Sequence, residues 1–357
     1  MKKNLQNLFK KSAQNIFKSF YGNILYSKNV HKKIKKKLSK NNIFKREKYF
    51  TYSIKNGRIY TDYVQNVAII HKNYLHSDSS FQQANHKITN PRHNIVIKKG
   101  TPRIKKKFKG TILSLVQGAS GENYFHWMVD ILPKFKIFLS NYSLNKINYL
   151  YLPELSTVMI ETLNLLKIKK KIINSKKFRH VMADEVISTS HPWYNKNTFT
   201  SQSSKIPIWV VKWIRSKFLK HKKKFFVKKR IFLDRSDSKY THCRLINNDE
   251  VIRFLIKNDF SIIRCSKLNF VKQVFAFWNA SEIVGVHGAA FVNIIFSRPK
   301  TKIFEIKPYN HEGLYFKKIS KINNLNYRSI ISNKKYLKNK SGDTYVTIKA
   351  LKKKLGY

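Results

Sequence analysis

Beyond Gly121 the apolar positions of this chain alternate between two periods. The runs Tyr149–Leu152, Val181–Ser188, Arg230–Asp234, Ser261–Arg264, Ile283–Val286 and Lys302–Ile306 are short and rich in β-branched and aromatic residues, and they predict strands. Between them, apolar residues at helical spacing predict helices over 123–140, 206–220, 248–258, 268–279 and 289–297. Strands and helices in alternation mean an α/β protein with parallel sheets covered by helices. Ahead of Gly121, Phe50–Ile54, Val67–Ile70, Ile95–Ile97 and Thr111–Val116 read as strands. They are divided by turn-rich or charged stretches such as Asn56-Gly57 and Pro102-Arg103. The polar, patternless stretch Asn195–Ser204 is the expected hinge between a domain over 48–200 and another over 201–330. No internal repeat is visible.

The ends of the chain read differently. Leu5, Leu8, Phe9, Ile16, Phe17 and Phe20 recur at helical spacing with Lys10, Lys11 and Lys18 between them. This predicts a basic amphipathic helix within 1–47, and two fates stay open for it. Residues 1–25 could lie on an anionic membrane surface, or the helix could pack on the protein's own body. The segment has no continuous apolar run, so it reads neither as a signal peptide nor as a membrane span. A cytoplasmic location is expected, with peripheral attachment to the membrane's inner face as its extension. Residues 29–47 read as a solvated basic linker. Residues 331–357 read as a basic tail, either packed back across the first domain or loose.

The chain has 357 residues, enough for two ordinary domains, and a 42% hydrophobic fraction with 25 Phe and 19 Tyr can fill real cores. The formal charge of +55, from 73 Lys and Arg against 18 Asp and Glu, attracts polyanions. The lysines are spread along the chain, as compositional drift would also leave them. No helix-turn-helix, zinc-finger or RNA-binding fingerprint accompanies them, so nucleic acid is not the expected partner. Cys243 and Cys265 have neither metal-ligand spacing nor the number for a disulfide framework.

Three constellations carry candidate chemistry. In Ser281–Phe296, His287-Gly288 sits on a strand-to-helix turn with Ala289 at the start of the apolar run. The first N–H groups of a helix lack internal partners, and its dipole favours an anion there. Most strand–Gly–helix turns hold nothing, so company is needed. In Gly121–Pro133, Asn123 is a fair helix N-cap, and His126 and Asp130 share one helical face four residues apart. A carboxylate beside an imidazole suits a general base, although such pairs are often only structural. In Arg230–Asp237 a strand ends near Asp234 and leaves Arg235 at its carboxyl end, while Arg244 and Asn247 lead into the next helix. Two guanidinium groups at that edge could clamp a diphosphate.

In this order, the constellations resemble glycosyltransferase family 61. The resemblance rests on Asn123, His126, Asp130 and Pro133, on Asp234-Arg235-Ser236 with Arg244 and Asn247, and on His287-Gly288-Ala289 with Asn293, Phe296 and Pro299. It covers roughly residues 50 to 310. It implies a GT-B-like α/β architecture, two facing Rossmann-like domains with a cleft between them. The carboxyl-terminal domain would hold a nucleotide sugar and the amino-terminal one would shape the acceptor side. It also implies inversion at the anomeric carbon and no bound metal. The sequence has no Asp-x-Asp pair and no His or Cys ligand cluster, so arginine and turn N–H groups would neutralise the leaving diphosphate.

Carried onto this sequence, the resemblance makes His126, supported by Asp130, the base that deprotonates an acceptor hydroxyl. Glu122 and Asp130 itself compete for that role. Arg235 and Arg244, with Gly288 and Ala289, would hold the nucleoside diphosphate, with His287 at the phosphate or ribose. Asn293 stands on the same donor side, where it and Glu305 brace the turn or the adjoining strand. No cofactor beyond the nucleotide-sugar co-substrate is expected, and a glycan acceptor in surface polysaccharide synthesis is the natural partner. One departure stands out. The family's turn usually continues Gly-Ala-Gly-Leu, whereas this chain has Gly288-Ala289-Ala290-Phe291. The rival reading is a polyanion- or nucleic-acid-binding protein on an inactive transferase-like body, supported by basic runs at 32–37, 221–224 and 352–354.

Overall fold

A computed structural model describes residues 2–27, 34–39, 44, 47–62, 66–84, 87–116, 123–193, 205–238, 243–309, 311, 313–333 and 342–357. Glu122 and the expected hinge at 195–204 lie outside them. The chain divides into two units, one of Met1–Ser156 with Ile168–Gln202 and one of Thr157–Lys167 with Ser203–Tyr357.

The first unit opens with helix α1 (Lys2–Tyr21) and holds strands β1 (Lys35–Leu38), β2 (Phe50–Lys55), β3 (Arg58–Thr61), β4 (Asn66–His71), β5 (Tyr74–Leu75), β6 (Phe81–Ala84) and β7 (Lys87–Ile88). Helix α2 (Ile95–Lys99), β8 (Lys106–Ser114), α3 (Tyr124–His126), α4 (Leu132–Leu139), β9 (Tyr149–Leu152), β10 (Lys171–Asn174) and β11 (His180–Thr189) complete it. The strands run β10-β9-β8-β11-β3-β4-β6-β7, with β2 also on β11, β1 on β2 and β5 on β4. Only β8 to β11 are parallel to one another. The first seven strands pair antiparallel, which departs from a Rossmann-like expectation for this half. Their connections are too short for crossover helices, as at Lys72-Asn73 between β4 and β5.

Two local expectations are corrected here. Ile95–Ile97, a β-branched run, is helical in α2. Asn94 accepts the Val96 N–H at 3.2 Å, and Gly100, at φ 67°, ends the helix after five residues. Residues 35–38, expected in a solvated linker, form the edge strand β1, whose register is Lys35 opposite Ser53 through Leu38 opposite Phe50.

The second unit begins with α5 (Thr157–Leu165), followed by α6 (Ile208–Phe218), β12 (Arg230–Leu233), α7 (Asn248–Lys257), β13 (Phe260–Ile263), α8 (Phe270–Asn279) and β14 (Glu282–Val286). A 3-10 segment (Ala289–Phe296), β15 (Lys302–Lys307), α9 (Tyr315–Ile322), β16 (Asn326–Ile331) and α10 (Ile348–Leu355) follow. The stretch after Gly288 is therefore 3-10 rather than α-helical. The five strands are all parallel, in the order β13-β12-β14-β15-β16. This is a doubly wound sheet whose direction of winding reverses between β12 and β14, and ligands of such sheets bind at the carboxyl ends of the two strands flanking that reversal.

One core of this unit joins Phe232, Val284, Val286, Phe304 and Ile306 of the sheet to Val251 and Leu255 of α7 and to Val346, Leu351 and Leu355. The carboxyl-terminal residues, expected as a basic tail, thus pack into the core of the second unit. Elsewhere in the unit α6, α8 and the 3-10 segment meet through Phe218, Phe270 and Phe296, with ring centroids 5.0 and 5.9 Å apart.

Candidate active site

In the first unit, Asn123 starts the helical run by accepting the N–H groups of Phe125 and His126 at 2.9 and 3.4 Å. Between α3 and α4 the backbone widens into a π-helical turn over Trp127–Ile131, where the Leu132 N–H donates to the Trp127 carbonyl five residues back. Pro133 follows at once, and having no N–H it cannot extend the ordinary i to i−4 ladder. On this turn His126 Nδ1 meets Asp130 Oδ2 at 2.6 Å. Asp130 is completely buried, while the His126 side chain keeps 16% of its surface exposed. With the carboxylate on Nδ1, Nε2 is the nitrogen available to take a proton.

Asp130 has further company that nothing in the sequence announced. The Trp193 indole N–H donates to its other oxygen, and His191 Nε2 lies 4.0 Å from the same atom. The Trp193 backbone N–H donates to His191 Nδ1 at 3.2 Å, which assigns the His191 proton to Nε2, on the Asp130 side. Burial, then the charges of Lys134 and His126, press the His191 pKa well below its ordinary value. Lys134, one turn beyond Asp130 and 2% exposed, donates to the carbonyls of Leu115 and Val116 at 3.4 and 3.3 Å. Burial lowers its pKa to about 7, against the opposing pull of Asp130. Trp193 and His191 follow the end of β11 in irregular chain, where no periodicity marks them.

In the second unit, Arg235 follows β12 and His287-Gly288 follows β14, so these motifs lie at the carboxyl ends of the two strands that flank the reversal. Arg235 Nη1 donates to the His287 carbonyl at 2.6 Å and to the Cys243 carbonyl at 3.3 Å, and Nη2 reaches Ser238 Oγ at 3.4 Å. Burial lowers its basicity, an effect opposed by Cys243 and Asp237. Gly288 is extended, at φ 174° and ψ 169°, a conformation open to any residue. What it admits is Arg235, because a Cβ at Gly288 would lie 3.2 Å from the guanidinium carbon. Residues 287–290 are partly exposed while 291–297 are buried, so the turn, including Ala289, is the accessible part of this segment.

The remaining residues expected on the donor side separate. Burial would raise the Asp234 carboxyl, yet the Ser236 N–H and hydroxyl at 2.9 and 2.8 Å and Arg264 Nε at 2.7 Å hold it below its ordinary value. Asp234 thereby ties the end of β12 to the end of β13. Arg244 is exposed, with Nη2 3.7 Å from Asp343 Oδ2. Asn293, expected near the donor phosphate, is fully buried and donates to Gln273 Oε1 at 2.9 Å, so it braces the 3-10 segment against α8. His287 has a pairing of its own. Its Nδ1 meets Glu305, a buried carboxylate that also accepts the Tyr327 hydroxyl, and its ring lies 3.8 Å from that of His311. Burial, followed by the Glu305 charge, raises the Tyr327 phenol above its ordinary value. Each unit thus holds an imidazole oriented at Nδ1 by a buried carboxylate. Among the described residues, no group of three or more His, Cys, Asp or Glu side chains could hold a metal ion.

Residues 124–304 match the family described as Glycosyltransferase 61. No curated protein gives a significant match. Among solved structures, the chain is similar to the bacterial iron-containing dodecameric glycosyltransferase TibC from enterotoxigenic E. coli H10407, at 10% identity and a TM-score of 0.32, over 82% of this chain and 81% of that one.

Proposed function

The chain belongs to glycosyltransferase family 61, and from that premise we propose that it is an inverting, metal-independent transferase acting on a nucleotide-sugar donor and a glycan hydroxyl. The observation that carries this reading is the His126–Asp130 pair, an imidazole with a buried carboxylate on one nitrogen, inside the matched region. His126 Nε2 takes the proton of the acceptor hydroxyl as its oxygen attacks the anomeric carbon. The bond from that carbon to the diphosphate oxygen breaks, and the nucleoside diphosphate leaves with the electron pair. One base and one displacement give inversion.

On the donor side, the partly exposed turn over residues 288–290 supplies N–H groups, and Arg235 fixes its shape by gripping the His287 carbonyl. Arg244, exposed, is the guanidinium able to swing toward a diphosphate, and a charged donor strengthens such a bond. His287, with Glu305 on Nδ1, keeps Nε2 as an acceptor for a ribose hydroxyl of the donor. A GT-B arrangement, with the two units facing one substrate, belongs to this proposal, as do a cytoplasmic location and a place in surface polysaccharide synthesis. Among the described residues no helix is long and apolar enough to cross a membrane.

The basic runs of the polyanion-binding alternative lie on separate elements. Lys36 and Lys37 stand on β1 over the rings of Phe50 and Tyr142, at 3.8 and 4.3 Å, while Lys222 stands over Trp278 at 4.7 Å. The test is sugar transfer and nucleoside-diphosphate release across a panel of nucleotide sugars, in chelator and at salt high enough to screen the surface. The expected outcome is one saturable donor whose product has inverted anomeric configuration by NMR. Retained configuration, dependence on added metal, or no donor at all would overturn the reading.

A further inference from the structure

Helix α1 has two faces with different surroundings. Its carboxyl-terminal end is fixed to the first unit. The Tyr21 hydroxyl accepts the Lys105 N–H at 3.1 Å, the Tyr21 carbonyl accepts Arg58 Nη1 at 3.3 Å, and the Tyr21 ring meets His180 edge-on at 5.1 Å. Ala13, Gln14, Phe17 and Lys18 are half-buried on the same side. The opposite side carries Leu5, Leu8, Phe9, Ile16 and Phe20, exposed by 71, 63, 78, 55 and 76%. At 3.6 residues per turn these five fall in a stripe of about 120°. The helix thus packs on the protein's own body through one face, as one of the two fates open in the sequence expects, and leaves these five apolar residues exposed on the other.

We propose that α1 docks this protein on an anionic lipid bilayer through that stripe. The occupant follows from charge and polarity together. The helix sequence holds five lysines and no acidic residue, and the exposed Lys11 and Lys10 fall about 60° beyond one edge of the stripe and about 80° beyond the other. An apolar ridge flanked by ammonium groups suits acyl chains beneath anionic headgroups. A second copy of α1 would bring lysine against lysine. A nucleic acid would leave the five apolar side chains without a partner. The anchor at Tyr21 fixes which way the ridge points, so docking needs no unfolding. The inference is independent of the transferase reading, since vesicle binding is measured without turnover.

The test is co-sedimentation of the full chain with phosphatidylglycerol–phosphatidylcholine vesicles and with phosphatidylcholine alone. Binding is expected only to the anionic vesicles and should weaken with salt. Phe9→Ser with Phe20→Ser should lower the partition coefficient by about tenfold or more while leaving the melting temperature unchanged. Lys10→Glu with Lys11→Glu should weaken binding clearly more than Lys353→Glu with Lys354→Glu, the same charge change on an exposed face of α10. Equal loss from both lysine pairs would mean diffuse charge attraction and overturn the proposal. Undiminished binding by the double Phe variant would do the same. So would a dimer, seen by light scattering, that the Phe substitutions dissolve while the vesicles bind nothing.

Discussion

Arg235 donates to the carbonyl of His287 at 2.6 Å and lies so close to Gly288 that a methyl group there would sit 3.2 Å from its guanidinium carbon. Two motifs 52 residues apart in sequence are thus one structural feature, the arginine after β12 holding the turn after β14. A free diphosphate clamp is the simpler expectation for such an arginine. Here it acts first on the backbone that would bind the phosphate.

From this contact, Gly288→Ala should act through sterics alone, since the backbone is extended. The guanidinium is held by two carbonyls and cannot easily give way, so a stability loss of about 1–3 kcal/mol is expected. Arg235→Lys keeps the charge but not the fork, and should weaken nucleoside-diphosphate binding by about 1.5–3 kcal/mol. Urea denaturation and calorimetric titration measure the two effects. A lysine variant that binds as tightly as the parent would show that the turn needs only charge nearby.

Asp130 accepts from His126 on one oxygen and from Trp193 on the other, so its two neighbours should be separable. Asp130→Asn removes the carboxylate that orients the imidazole, and kcat should fall by about 10²–10⁴. Trp193→Phe keeps a ring but removes one donor to a buried carboxylate, and should lower kcat less while leaving the donor KM unchanged. Steady-state kinetics on folded variants decide this. If Trp193→Phe raises KM and spares kcat, the indole belongs to substrate binding instead.

Much of the second unit was legible because its inner strands β12, β14 and β15 are buried on both faces and read as short apolar runs, whereas the exposed edge strand β16 gave no such signal. Arg230–Asp234 and Ile283–Val286 differ from the observed strands by a single residue. Ile95–Ile97 misled because β-branching outweighed its flanking Asn94 and Gly100, the two residues that make it a capped helix. Lys35–Leu38 misled because an edge strand can carry charge as easily as a linker. In the candidate site, the spacing of His126 and Asp130 was visible, since local helix geometry fixes it. Trp193 and Tyr327 were not, since each reaches its carboxylate only through tertiary folding.

Lys134 gives the stability a pH dependence of known sign. Burial lowers its folded pKa to about 7 from 10.5, so between those values the unfolded chain binds more protons than the folded one. Stability should therefore be penalised in full below about pH 7, and the penalty should fade as pH rises toward the unfolded value. Lys134→Met, which forfeits the bonds to the Leu115 and Val116 carbonyls, should compare more favourably with the parent at about pH 6 than at about pH 9, by a few kcal/mol. Urea midpoints at the two pH values read this directly. A difference between variant and parent that ignores pH would mean that Lys134 titrates near its usual value.

Leu351 tests whether the carboxyl-terminal segment is part of the fold. The sequence leaves the last residues as a tail dense in lysine, yet Leu351 is fully buried, and it shares a core with Leu255 of α7 and Phe304 of β15. Thr347 starts the helix by accepting the Ala350 N–H at 3.2 Å, so the segment has its own local reason to be helical. Lys352, Lys353 and Lys354 fall on the exposed side, which is why composition alone disguises the helix. Leu351→Ala should cost about 2–5 kcal/mol of stability, the range for a buried leucine, and Thr347→Ala about 1 kcal/mol. Lys353→Ala, on the exposed side, should change stability by less than about 0.5 kcal/mol. Urea unfolding of the three variants gives the comparison. Equal, negligible losses for all three would detach α10 from the core and leave the tail loose.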